Sequence, residues 1–257
     1  MIPAAAQTAP DAGRILAIAS GKGGVGKTWF AITLSQALAR QGLRVLLVDA
    51  DLGLANVDVQ LGFQPARDLS AVIAGGVAVQ DAAIAHPAGF DILAGRSGSG
   101  ALAMLDAASL GAVLGLLPRA ATRWDRVVVD LGAGLEAPQR RIAAAADTLL
   151  VVATEEPTSL TDAYAVLKLH GRDRPGGDAR IVVNLASDVA AGARTHAALA
   201  RAAATFLKRD VPLAGVIRRD PRVRDAIRHQ APLLTRHPAC AAAQDVEAIA
   251  RALAAPA

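Results

Sequence analysis

Short β-branched and leucine-rich runs recur along the chain at Arg14–Ala19, Arg44–Asp49, Phe90–Ala94, Arg126–Asp130, Thr148–Ala153, Arg180–Asn184 and Leu213–Ile217, with helical patterning between them. Such alternation is the signature of βαβ units. Several runs are apolar at every position instead of at every second one, as strands covered on both faces must be, and right-handed crossovers then place helices on either side. The predicted fold class is therefore α/β, a doubly wound, mostly parallel sheet with helices on both faces. Ligands on such sheets bind beyond the carboxyl ends of the strands. Chemistry is expected in Ser20–Thr28, Asp49–Asp58, Asp130–Gly134, Thr154–Asp162, at Asn184, and in Arg218–Arg224. No internal repeat is visible. The linker-like pieces are a flexible N-terminal segment, residues 1–13, and Gly171–Gly177, and neither reads as a boundary, so residues 14–257 are expected to form one domain.

Composition sharpens this picture. Apolar residues make up 53% of the 257 positions and aromatics only 3%, so the core must be built from Ala, Val, Leu and Ile on closely packed elements. No apolar run approaches the roughly 20 residues that span a bilayer. Met1–Gly13 lacks the basic start and apolar stretch of a secretion signal, so a cytoplasmic protein is expected, with at most transient presence at the inner membrane or cell pole. The single cysteine, Cys240, excludes an internal disulfide, and without ligands from another chain it holds neither zinc nor an iron–sulfur cluster. The net charge of +4 permits contact with nucleic acid or acidic lipid without requiring either. Only four of the 27 basic residues are lysines, Lys22, Lys27, Lys168 and Lys208, and two of them lie five residues apart in one glycine-rich loop. A position that keeps lysine against such a bias toward arginine needs a compact ammonium rather than a planar fork.

That loop is Gly21-Lys22-Gly23-Gly24-Val25-Gly26-Lys27-Thr28, placed after the first strand and opening a helix that runs to about Gln41, with Gly42 as its stop. It fits the phosphate-cradling pattern G-x-x-x-x-G-K-[ST] in the context that the pattern requires. Glycines let backbone N–H groups wrap the phosphates, and the helix N-terminus adds its positive end. Lys27 is expected to bridge the β- and γ-phosphates of ATP, Thr28 to hold Mg2+, and Gly21 to Trp29 to form the nucleotide cradle.

Lys22 narrows the class. The string K-G-G-x-G-K-T resembles the deviant Walker A ATPases of the MinD/ParA group, and the resemblance implies that Lys22 reaches the nucleotide of a second subunit in an ATP-bound homodimer. It also implies that Asp49 in Asp49-Ala50-Asp51 lies near Mg2+ while Asp51 positions the attacking water. Their spacing of two puts both carboxylates on one side of an extended segment. Val127-Val128-Val129-Asp130 resembles a Walker B strand whose aspartate serves the metal, and Gly132-Ala133-Gly134 resembles a switch that senses the γ-phosphate. The catalytic set implied is Lys22, Lys27 and Asp51, and the metal set Thr28, Asp49 and Asp130. Asn184 matches an asparagine that hydrogen-bonds adenine in this group. Gly215-Val216-Ile217-Arg218-Arg219-Asp220 aligns with a segment that packs against the base, with Arg218 where the group usually has proline.

Within the group, Asp49-Ala50-Asp51-Leu52-Gly53-Leu54-Ala55-Asn56-Val57-Asp58 and Glu156-Pro157-Thr158-Ser159-Leu160-Thr161-Asp162-Ala163-Tyr164 look like the flagellar-number regulators called FlhG or FleN. The similarity runs from about Ile15 to Leu253. It implies an ATP-dependent dimerising switch that regulates flagellar number and placement by slow, Mg-dependent ATP hydrolysis, with a nucleotide-gated docking surface near Asp162. The partners implied are a FleQ-like transcription regulator, an FlhF-like GTPase or flagellar switch proteins. Met1–Gly13 lacks the D-Q-A-type motif with which many members stimulate the GTPase, so stimulation of a GTPase is not expected. A ParA-type partition ATPase is the first alternative, and Arg218, Arg219, Arg222, Arg224, Arg228 and Arg236 would supply its DNA surface, although arginines on one helix face are usually only solvated. A MinD-type division factor is the second, but Asp245–Ala257 holds one arginine and no lysine or aromatic, so membrane binding is expected to be weak or absent.

Overall fold

All seven expected runs are strands in the computed structural model, which describes residues 13–51, 55–95 and 107–254. They are β1 (Arg14–Ala19), β2 (Val45–Ala50), β4 (Asp91–Leu93), β5 (Arg126–Leu131), β6 (Thr148–Ala153), β7 (Asp178–Ala186) and β8 (Leu213–Arg218). The eighth, β3 (Ile84–Ala85), is a two-residue strand antiparallel to β4 and too short to leave a hydrophobic pattern. The sheet order is β3-β4-β2-β5-β1-β6-β7-β8, and every pairing except β3 with β4 is parallel. From the central β1 the chain first builds toward β2 and then, after β5, toward β6, so the carboxyl ends of β1, β2 and β5 open at the point where the winding reverses.

The uniformly apolar strands are explained by the two cores they feed. Ile15, Ala17 and Ala19 of β1 face one layer, where they pack with α5 (Ala107–Ala121), α6 (Ala137–Ala145) and α7 (Pro157–Asp173). Leu16 and Ile18, the alternate positions, face the other layer, built on α1 (Lys27–Ala39) and α11 (Ala241–Ala254). Because successive side chains point to opposite faces, a strand covered on both sides must be apolar throughout.

Two expectations change at the element ends. α7 continues through Gly171 to Asp173, so only the second half of Gly171–Gly177 is a loop. The tail considered as a membrane helix is part of the second core: α11 buries Ala242, Ala243, Val246, Ile249, Ala250 and Leu253 beside β8 and α1. Gly215 of β8 is glycine for this packing, since a Cβ there would lie 2.4 Å from Ile249 Cγ1. Among the described residues no helix is long and apolar enough to cross a membrane. Residues 1–12 of the expected N-terminal segment, and residues 52–54 within the Asp49–Asp58 string, lie outside the described residues.

Candidate nucleotide site

The glycine-rich loop leaves β1 and closes directly on α1. Gly24 and Gly26 have φ of +78° and +90°, a region that L side chains avoid, so both positions require glycine. Gly26 has a second reason, because a Cβ there would lie 2.5 Å from Asn184 Nδ2. Gly21 answers to packing: its Cβ would lie 2.5 Å from the Cβ of Asp162 and 2.6 Å from its carbonyl oxygen, so the loop rests on the first turns of α7. α1 starts at Lys27 with Gly26 as N-cap, and the N–H groups of Lys27, Thr28 and Trp29 belong to the first turn, which has no preceding carbonyls to pair with. The Trp29 indole is buried in the core beneath the loop, so this residue can face a ligand only through its backbone.

Three carboxylates and one ammonium meet beside this turn. Asp49 and Asp130 are register partners on β2 and β5, and each is 1% exposed. Burial pushes Asp49 up to about 6, although its oxygens accept from the N–H groups of Asp51, Asn56 and Val57 at 3.2, 3.0 and 3.0 Å. Burial first, and Asp49 second, push Asp130 up to about 8, while a hydrogen bond with the Thr28 side chain works the other way. Lys27 is held below its usual range by burial, against the attraction of Asp130 and Asp51. Asp130 Oδ1 has no hydrogen-bond partner. Buried, under-neutralised carboxylate of this kind is what a divalent cation relieves. Among the described residues no group of three or more His, Cys, Asp or Glu is gathered to hold a metal alone.

The segment after β5 joins these groups to the loop. A Cβ on Gly132 would lie 3.0 Å from Asp51 Oδ1, so glycine at 132 is what lets the Asp51 carboxylate cross to the end of β5. Gly134, at φ +113°, donates its N–H to the Ser20 carbonyl at 3.1 Å, and Ser20 Oγ donates to the Lys22 carbonyl at 2.6 Å. Asn184 at the far side donates Nδ2 to the Val25 carbonyl at 2.8 Å. Its amide hydrogen therefore braces the loop, which leaves Oδ1 as the atom able to accept from a base.

The expected residues thus converge, with two differences in detail. Lys22 reaches Glu156 Oε2 at 2.5 Å and Thr158 Oγ1 at 3.1 Å, at the N-terminus of α7. Arg218 turns away from the loop and forms a two-pronged pair with Asp245 of α11, while its N–H donates to the same carboxylate at 2.9 Å. Pairing also absorbs other members of the arginine cluster: Arg222 lies 3.8 Å from Asp220, and Arg228 and Arg236 lie 3.6 and 2.6 Å from Asp225. Sequence reasoning missed Glu156 and Thr158 as partners of Lys22, and Glu155, whose Oε1 accepts from Ser187 N and Oγ at 3.1 Å each. The signal for Glu156 and Thr158 was present in the Glu156–Tyr164 string, whose wording exceeds what a helix start needs; Glu155 lies just outside it.

A Gly-Lys-Thr loop between the central strand and its helix, a buried aspartate at the end of β5 and a glycine switch after it define a Mg-dependent P-loop ATPase. The chain matches the CobQ/CobB/MinD/ParA nucleotide binding domain over residues 16–233 and belongs to that family, within it to the FlhG/FleN type. It is 36% identical over 238 residues to the antiactivator FleN of Pseudomonas aeruginosa, covering 93% of this chain and 85% of the relative. It is 31% identical over 197 residues to the flagellum site-determining protein YlxH of Helicobacter pylori, covering 74% and 64%. The cell division ATPase MinD of Pyrococcus furiosus superposes with a TM-score of 0.79 at 26% identity, over 94% of this chain and 98% of that one. MinD of Pyrococcus horikoshii complexed with Mg-ADP gives 0.78 at 26% identity, over 93% and 95%.

Proposed function

We propose that this protein is an ATP-dependent dimerising switch that regulates flagellar number, with hydrolysis ending each regulatory encounter. The observation that carries the reading is the division of labour between two lysines of one loop: Lys27 is buried among Asp51 and Asp130, whereas Lys22 stands a third exposed at the rim. One ammonium serves this chain's own phosphates, and the other is placed to be exchanged. The first-turn N–H groups and Lys27 would bind the phosphates, and Thr28, Asp49 and Asp130 would hold Mg2+. The cation, when bound, neutralises phosphate charge. Asp51 orients the attacking water over Gly132, and the tie from Gly134 to Ser20 links that end of β5 to the cradle. Asn184 Oδ1 accepts from the adenine amino group.

The flagellar role rests on the kinship with the antiactivator FleN and the site-determining protein YlxH. The DNA-partition reading is disfavoured because Arg218 and Arg236, two members of the arginine cluster, are closely paired with Asp245 and Asp225. Residues 14–257 act as one domain in this reading, whose partner is a FleQ-like regulator or a flagellar switch protein. Light scattering with ATP, ADP and no nucleotide tests the switch: a dimer with ATP alone is expected, and a monomer at saturating ATP would remove the reading.

A further inference from the structure

We infer that Gln139 is a positioning residue for hydrolysis, acting on Asp51 from the first turn of α6. The inference rests on the proposed role of Asp51 and adds a second residue to it. The carboxamide of Gln139 and the carboxylate of Asp51 converge on one point: a Cβ on Gly132 would lie 3.0 Å from Asp51 Oδ1 and 3.5 Å from Gln139 Nε2. Gly132 has no side chain, and both groups lie within contact distance of where one would stand. An amide nitrogen donates and a carboxylate accepts, so this is the pairing that would fix the Asp51 rotamer.

The other end of the carboxamide supports a role in the chemistry. Gln139 Oε1 is buried and has no hydrogen-bond partner. Leaving a buried acceptor unpaired is unfavourable unless a water or ligand supplies the hydrogen. Gln139 also lines a small cavity with Gly132, Gly134 and Leu135 on the side of the switch and His170 on the side of α7. The cavity holds about 20 Å³ of water-accessible space, enough for a single water. Packing alone gives no account of the residue: α6 faces the core through Ile142 and Ala143, and a half-buried glutamine adds nothing to that face. An amide placed to donate to the water-orienting carboxylate and to accept from a water beside the switch would account for both ends.

The test is ATP turnover and dimer lifetime in the full chain carrying Gln139→Glu, which keeps the size and replaces the donor by an acceptor, and Gln139→Met, which keeps the volume without either. Both should lower kcat roughly 10- to 100-fold, the range that a small misplacement of a reacting group produces, with KM for ATP unchanged. Both should also lengthen the lifetime of the ATP dimer, because the cradle is intact. Wild-type kcat in both variants, or a kcat loss accompanied by a raised KM and loss of the dimer, would overturn the inference. Asp51→Ala run beside them separates the two failures. Wild-type turnover in Asp51→Ala removes the Asp51 reading and this one with it, whereas slow Asp51→Ala with normal Gln139 variants removes this one alone.

Discussion

Lys22 is held by its own chain: its ammonium lies 2.5 Å from Glu156 Oε2, at the end of α7 whose next turn supports Gly21. The pair is open to solvent, so screening makes it weak and exchangeable, and the carboxylate of Glu156 is drawn below its usual range by that ammonium. A lysine meant for the nucleotide of a second subunit has to leave this contact when the dimer forms. Lys22→Ala should therefore keep ATP binding by the single subunit and lose ATP-dependent dimerisation. Lys22→Arg should behave the same way, because a guanidinium is a bulkier, planar donor. Calorimetry and light scattering on the two variants check both halves, and ATP dimers in both would refute the exchange.

Lys27 differs in burial and so in consequence. It is 8% exposed and is the ammonium that faces Asp130 and Asp51. Lys27→Ala should weaken ATP binding by about thirtyfold or more, since truncating one member of a desolvated charge pair commonly removes 2 kcal/mol or more. Calorimetric affinity close to wild type would show that the phosphates lie elsewhere.

Gly21 carries a constraint that the motif does not announce. Any side chain there meets the Asp162 backbone, so Gly21→Ala should displace the loop or α7 and destabilise the fold by about 1–3 kcal/mol, as overpacking does. Urea denaturation, with ATP affinity measured in parallel, reads the two effects. Unchanged values of both would mean that α7 does not bear on the cradle.

That residue marks where sequence reading ends. Strands such as β1 and β5 were legible because burial on both faces leaves uninterrupted apolar runs, and the cradle was legible because phosphate binding fixes residue types at fixed spacing. β3 was not, because two residues carry no period. Contacts between remote segments also escape local pattern: Gly21 with Asp162, Lys22 with Glu156, and Arg218 with Asp245 each depend on how α7 and α11 are laid against the sheet. The substitution of Arg218 for the usual proline looked like a matter of base recognition from sequence, whereas its side chain and N–H are both engaged by α11.

His170 should make stability fall in mild acid. It is 4% exposed on α7, Arg209 Nη1 lies 3.1 Å from Nδ1, and Nε2 has no partner. Burial and the Arg209 charge push it down to about 4. Between the ordinary value of 6.5 and that value the unfolded chain binds a proton and the folded chain does not, so stability present above pH 6.5 is lost as pH falls. The loss should approach roughly 3 kcal/mol near pH 4, at about 1.4 kcal/mol per pH unit. Urea midpoints of wild type and His170→Gln across pH 4 to 7.5 check this. The difference between the two curves reads the residue, and parallel curves would refute it.

Asp51 joins the site to the cell. Its carboxylate reaches the end of β5 over Gly132 and is not one of the N–H or ammonium groups that cradle the phosphates, so Asp51→Ala should slow hydrolysis and leave ATP bound. The dimer should then persist in the form that engages its partner, because the γ-phosphate that holds the switch arrangement is not removed. Lys27→Ala should do the reverse, leaving the protein unable to enter that form. If the protein restrains flagellar number, Lys27→Ala should give extra flagella and Asp51→Ala few or none. Electron microscopy of the two strains, with protein levels matched, decides it. Normal counts in both would remove the flagellar reading. Identical abnormal counts would keep the role and remove hydrolysis as its timer, because a clock stopped before binding and one stopped after it must fail in opposite directions.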